Sequence, residues 1–104
     1  MENLKRGLIP NADTEMVYSP NKDLKLIGMI ICNIGGNDGE TVDVYITSAA
    51  VGAVTTADAI MYQYPIDGGY NYEVPDKVLP KGCRLIANAS AASEFSMSID
   101  AEEI

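Results

Sequence analysis

The sequence predicts an all-β protein: a single antiparallel β-sandwich, jelly-roll-like, with about eight short strands. Three observations support this fold class. Apolar and polar residues alternate with a period of two in several short runs, as in strands with one buried face. Turn-forming Gly, Pro, Asn and Asp residues separate these runs at the regular spacing of antiparallel sandwiches. The 104 residues suffice for one domain with a core, and no helix of ordinary length is indicated.

The elements are predicted in chain order. Residues 1–12 form an N-terminal arm or edge strand, since Pro10 cannot donate to a ladder, and residues 13–104 form the sandwich domain. A connection rich in Ala, Gly and Thr spans 49–58, with one helical turn after Thr55 and Thr56, where a threonine could cap. The predicted strands of the domain are 14–18, 26–34, 42–47, 60–66, 70–74, 83–89 and 95–101.

Two β-hairpins are predicted within this order. The first spans residues 25–48 and reverses at the glycine-rich, acidic segment 35–40. The second spans 60–74 and reverses at 67–69, which reads Asp-Gly-Gly. Both reversals contain residues that tolerate a positive φ, as a tight turn requires.

The strand at 26–34 has apolar residues at both its odd-numbered and its even-numbered positions. Both of its faces are therefore predicted to be covered. One cover is the second sheet, and the other is a long loop or another subunit. Burying an aliphatic side chain contributes roughly 1.5–3 kcal/mol. We therefore predict that Ile27, Met29 and Ile31, taken to share one face, are subunit or partner contacts.

Composition limits the class of partner. The formal net charge is −8, from 7 Lys and Arg against 15 Asp and Glu, which disfavours binding to nucleic acid through phosphate neutralisation. The longest apolar run is too short to span a bilayer, and no signal-peptide core follows Lys5 and Arg6, so we expect neither membrane insertion nor a cleaved leader. Cys32 and Cys83 are predicted to be buried free thiols, with a disulfide as the alternative.

No stretch of the chain indicates an active site. Histidine is absent, which removes the commonest catalytic base and metal ligand. The oxygens of segment 37–40 suit either a calcium loop or a turn, and the turn is favoured because the alternating acid spacing is missing. Asp43, Glu73 and Glu94 could form an acid pair, but nothing in the sequence brings them together. We therefore predict no catalytic residue, no enzyme activity, no cofactor and no metal site.

Four tyrosines flank the second predicted reversal: Tyr62, Tyr64, Tyr70 and Tyr72. On paired strands they would form a cross-strand aromatic patch. Tyrosine is enriched at interfaces because its ring is apolar and its hydroxyl polar. The patch is thus core, a subunit interface or a platform on which sugars stack.

The order of these segments resembles that of small virion proteins of tailed bacteriophages and prophages. The resemblance covers nearly the whole chain after the arm. It is carried by a short strand ending in Tyr-x-Pro and a turn, an aliphatic strand ending in Cys-Asn, an alternating Val/Thr-type strand, an Ile-x-Tyr-x-x-Pro-Ile strand with a Gly turn, and a Leu-Pro-Lys-Gly turn followed by the last two strands. These are residues 17–22, 30–33, 41–46, 60–69 and 79–99.

This resemblance implies a non-enzymatic β-sandwich subunit of the virion, a symmetric homo-oligomer at the capsid surface, neck or tail, of the decoration or head–tail accessory type. Its partners would be itself and other virion proteins, in the virion and, before assembly, in the cytoplasm of the bacterial host. The alternative is a carbohydrate-binding module that uses the tyrosine patch. A third hypothesis is an acidic mimic that binds a basic host protein.

Overall fold

The computed structural model describes residues 2–104, with side chains from Gly7 onward; Met1 of the predicted arm lies outside the described residues. Nine strands form in this part of the chain, joined by turns and by two short 3-10 turns at Val51–Ala53 and Thr56–Asp58. The strands are β1 (Glu2–Leu8), β2 (Thr14–Ser19), β3 (Leu24–Asn33), β4 (Thr41–Thr47), β5 (Ala59–Pro65), β6 (Asn71–Val74), β7 (Lys77–Leu79), β8 (Cys83–Ala89) and β9 (Phe95–Glu103).

The strands form two antiparallel sheets that face each other. Sheet A has the order β1-β9-β3-β6, and β7 continues beside β3. Sheet B has the order β2-β8-β4-β5. The predicted all-β antiparallel sandwich is confirmed, with β7 as a strand that the sequence pattern did not indicate. In residues 2–104, neither helical turn has the length or apolarity to cross a membrane.

Both predicted hairpins are wrong. β3 belongs to sheet A and β4 to sheet B, while β5 belongs to sheet B and β6 to sheet A. The two glycine-rich reversals are therefore corners that carry the chain from one sheet to the other. Alternation of period two and a turn signal predict that the chain reverses, but they do not say whether the flanking strands pair side by side or pack face to face.

A bulge at Gly28 changes which residues of β3 face the core. Gly28 has φ +61°, and the pairing of β3 with β9 shifts register between Ile27 and Ile30. Before the bulge Leu26 is buried, and after it Met29 and Ile31 are buried. An extra residue in one strand reverses the side-chain alternation beyond it. The prediction that Ile27, Met29 and Ile31 share a face is therefore wrong.

The core lies between the sheets and follows the predicted alternation where no bulge intervenes. On β9, Phe95, Met97 and Ile99 are buried, and the residues between them are half-buried. The predicted helical turn is present at Thr56–Asp58, although the Thr55 side chain makes no capping hydrogen bond to the backbone. The two cysteines are free, as predicted, but each is only partly buried.

Candidate functional site

The outer face of sheet A has an uncharged, partly apolar centre. We define the sheet A face as the uncharged outward side chains of the two central strands: Ile27, Ile30 and Cys32 on β3 with Ser96 and Ser98 on β9. Cys32 lies opposite Ser96, and Ile30 lies opposite Ser98. These five side chains are half-buried. Small serines beside branched aliphatics leave a shallow, weakly polar surface.

Exposed aliphatic side chains extend the sheet A face on two sides. Leu8 of β1 lies opposite Ser96, and Val78 of β7 lies opposite Lys25. Both side chains are about half exposed. Charged residues lie around this area: Glu73 opposite Ile30, Asp100 opposite Ile27, and the Lys25–Glu102 pair at one end. An apolar centre with a polar rim is the usual anatomy of a protein interface.

The predicted contact residues of β3 divide between the two sides of the sheet. Ile27 lies on the sheet A face, whereas Met29 and Ile31 are 1% and 0% exposed in the core. Their side chains are not accessible to a partner in this fold. Ile30, which was not among the predicted contact residues, lies on the face instead. The available signal was Gly28, because an isolated glycine inside a strand often marks a bulge.

Three of the four predicted tyrosines meet at the open edge between the sheets. The rings of Tyr64 on β5 and Tyr72 on β6 have centroids 4.6 Å apart and planes tilted by 37°. Tyr70 lies beside them and is 70% exposed. Together with Pro65, Ile66, Asp67 and Asn71, these residues line a cleft of about 230 Å³, the tyrosine cleft.

Tyr62 lies apart from this group of three, and Tyr72 is its least exposed member. Tyr62 is exposed but does not line the cleft, and it acts electrostatically on Tyr45 of the outer face of sheet B. Tyr72 packs partly against the core. The four rings therefore form neither one continuous patch nor a core cluster.

The outer face of sheet B has a different character. The Arg84 guanidinium lies 4.1 Å from the centre of the Tyr18 ring and donates to Glu15 at 2.8 Å. Ile86 on the same face is fully buried. Burial raises the pKa of Tyr45 above its ordinary value, and the negative charge of Asp43 raises it further. The apolar centre of this face is thus already covered within the subunit.

The corner between β3 and β4 is held by buried polar side chains. Glu94, 3% exposed, accepts from the backbone and side-chain nitrogens of Asn37 at 3.0 and 2.9 Å. Asn33 donates to the Asn37 and Ile66 carbonyls, both at 2.8 Å, and accepts from Gly36 N at 3.0 Å. Buried polar groups that are fully paired fix a single local geometry.

The oxygens proposed for a calcium loop serve the same corner. Asp38 Oδ1 accepts from Gly68 N at 3.0 Å, and Glu40 Oε2 accepts from Ser90 Oγ at 2.6 Å. Each carboxylate thus ties the β3–β4 corner to a neighbouring turn. Among the described residues, no group of three or more His, Cys, Asp or Glu side chains is arranged to hold a metal ion.

The three carboxylates considered for acid–base chemistry lie in different environments. Asp43 of β4 accepts from Gln63 N at 2.6 Å, on the sheet B side. Glu73 is exposed on β6 of sheet A, and Glu94 is buried beneath the β3–β4 corner. The fold does not bring them together into one site.

A larger groove, about 720 Å³, opens where the β2–β3 turn meets the end of β9. Its floor includes Val17, Leu24 and Ala101. Lys22 and Glu103 form an ion pair at its rim. The floor offers apolar contact and the rim offers paired charge.

Comparison with known proteins gives a likeness of fold. No protein-family profile matches the chain, and no curated protein matches it. Two solved structures, each of a pentameric capsid protein isolated from metagenomic phage sequences, superpose with a TM-score of 0.55 at 17% identity. The match covers 99% of this chain, which spans 66% and 61% of the lengths of those two chains. At this identity, the likeness is one of fold alone.

Proposed function

We propose that the protein is a non-enzymatic structural component of a phage virion that assembles as a symmetric homo-oligomer. The observation that carries this proposal is the likeness of nearly the whole chain to pentameric phage capsid proteins. The strand orders β1-β9-β3-β6 and β2-β8-β4-β5 also support a jelly roll, an architecture that viral capsid domains use. We propose a pentamer, because the two structural neighbours are pentameric.

The surface of the subunit supports self-association. The sheet A face has an uncharged centre with aliphatic side chains, and the tyrosine cleft presents aromatic rings beside Asp67. Aliphatic and aromatic surface of this kind commonly marks interaction sites. Of the contact residues predicted from the sequence, Ile27 and the tyrosines remain candidates. Four finer points remain predictions. They are the position on the capsid, neck or tail, the role as a decoration or accessory protein, the prophage origin, and the division into arm and domain.

The test is the absolute mass in solution, by light scattering coupled to size exclusion. The proposal predicts one discrete species of five times the 11.1 kDa subunit mass, stable across the micromolar range. A monomer at every concentration would contradict the homo-oligomer. Another closed oligomer would keep the structural role and exclude the pentamer.

A carbohydrate-binding module is the second candidate, and the exposed rings of Tyr64 and Tyr70 favour it. Such a module predicts glycan binding that Tyr70→Ala abolishes while the fold is retained. A glycan array without wild-type binding would exclude this candidate. The same array on Tyr18→Ala, which removes an exposed tyrosine on sheet B, is the matched control.

A further inference from the structure

We propose that the sheet A face of one subunit packs against the tyrosine cleft of the next copy, so that the oligomer is a head-to-tail ring. This inference rests on the proposed homo-oligomer and names its interface. A ring of more than two identical subunits needs two different patches on each subunit, each complementary to the other. The described surface offers two such patches, on β3 and β9 and between β5 and β6.

The proposed contact sets exposed aliphatic side chains against an aromatic cleft. Leu8 and Val78 stand about half exposed at the sides of the sheet A face and can act as protruding aliphatic anchors. The tyrosine cleft, at about 230 Å³, lies below the usual range of roughly 300–1,000 Å³ for small-molecule sites. A cleft of that size, walled by aromatic rings, suits one inserted side chain, which is how interface hot spots are built.

Charge favours the centre of the sheet A face as a place where copies meet, whereas Asp67 makes the tyrosine cleft acidic. Two subunits of net charge −8 repel each other, so contact is least unfavourable where few charges face the partner. From Ile30 to Cys32 and from Ser96 to Ser98, the outward side chains of β3 and β9 carry no charge. The outer face of sheet B instead presents the Arg84–Glu15 pair, and its apolar centre is already buried. Salt screening of the repulsion should strengthen assembly.

The experiment places one lysine on each surface in turn. Ile30→Lys changes the sheet A face and Tyr70→Lys changes the cleft, and each is expected to reduce the mass from the oligomer to the single subunit. Ala57→Lys and Tyr18→Lys add the same charge on the sheet B side and are expected to leave the oligomer intact. Circular dichroism and thermal unfolding establish that each variant is folded. Ser98→Lys, on the neighbouring strand, replaces Ile30→Lys if that variant fails to fold.

A mixture of the two variants tests the head-to-tail geometry. Ile30→Lys keeps an intact cleft and Tyr70→Lys keeps an intact sheet A face, so a short cross-linker should trap a heterodimer and no homodimer of either variant. If one lysine variant keeps the wild-type mass, or if only homodimers are trapped, the proposed interface is wrong while the homo-oligomer stands. If the wild type is itself a monomer, the proposed homo-oligomer fails, and this interface with it.

Discussion

Truncation of Met29 tests whether the bulge at Gly28 sets the inner face of β3. Met29 lies opposite Val74 in the β3–β6 pairing, and its side chain is buried in the core. Replacing a buried methionine with alanine removes its burial and leaves a cavity, at a cost of about 2–5 kcal/mol. A domain of this size has a total unfolding free energy of about 5–15 kcal/mol. We therefore expect Met29→Ala to lose a large part of the stability of the protein.

Ile30→Ala is the matched control, because Ile30 is the next residue and points to the other side of the sheet. Its side chain is only partly buried in the subunit, so truncation is expected to cost about 1–2 kcal/mol of subunit stability, less than truncation of Met29. The assay is urea unfolding followed by circular dichroism, at one low subunit concentration, since assembly adds to apparent stability. Equal slopes against urea would show that the midpoints report stability alone.

The refuting result is the reverse order. If Met29→Ala has the unfolding free energy of the wild type while Ile30→Ala loses several kcal/mol of it, Met29 points outward. The alternation of β3 would then run unbroken through Gly28, as the sequence pattern suggested. If Met29→Ala dissociates the oligomer and leaves the stability of the subunit unchanged, Met29 is likewise a subunit contact on the outer face.

Three further predictions concern the corners and the outer face of sheet B. In Gly68→Ala a Cβ atom would lie 2.3 Å from the Gly36 carbonyl oxygen, so we expect urea unfolding to show a loss of about 1–3 kcal/mol in unfolding free energy. Gly52→Ala is the control and should match the wild type, because a Cβ atom there meets open space. Glu94→Gln replaces a carboxylate that accepts two hydrogen bonds from Asn37, and we expect it to lower the free energy of unfolding by about 1.5–3 kcal/mol. Strictly additive losses in a double-mutant cycle with Asn37→Ala would contradict this coupling. Because the folded-state pKa of Tyr45 is raised, its contribution to stability is fully present below its ordinary pKa of about 10 and is lost as pH rises through the folded-state value. Tyr45→Phe should therefore show a smaller fall in unfolding free energy above pH 10, and an unchanged pH slope in urea titrations would count against the assignment.

The patterns that predicted strands correctly are local ones. On β9 the buried residues Phe95, Met97 and Ile99 follow directly from period-two alternation. The positions of the turns follow from residues that accept positive φ, such as Gly36 and Gly69. These features depend on the chain within a few residues, so the sequence is sufficient to predict them. The acidic surface and the absence of histidine are likewise read directly from composition.

Which of the two sheets each strand joins could not be predicted without the tertiary structure. The reversal at 35–40 is as consistent with a hairpin as with a corner, and the difference depends on contacts with distant residues. Glu94, more than fifty positions along the chain, accepts both hydrogen bonds from Asn37. The backbone of Gly36 packs directly against Gly68 in the other corner. Neither contact leaves a signal in the local pattern.

The candidate surfaces could be predicted only in part, because they too depend on contacts between residues that are distant in the sequence. The order of residues is enough to predict that β3 is apolar on both sides and that tyrosines gather around one reversal. That Ile30 rather than Met29 faces outward follows from the folded chain, because one residue in the positive-φ region at Gly28 shifts the alternation of every residue beyond it. The folded chain also brings Tyr64 and Tyr72 together across two sheets rather than across one hairpin. Alternation is a property of one strand, whereas a surface is made by strands whose pairing depends on the packing of the whole chain.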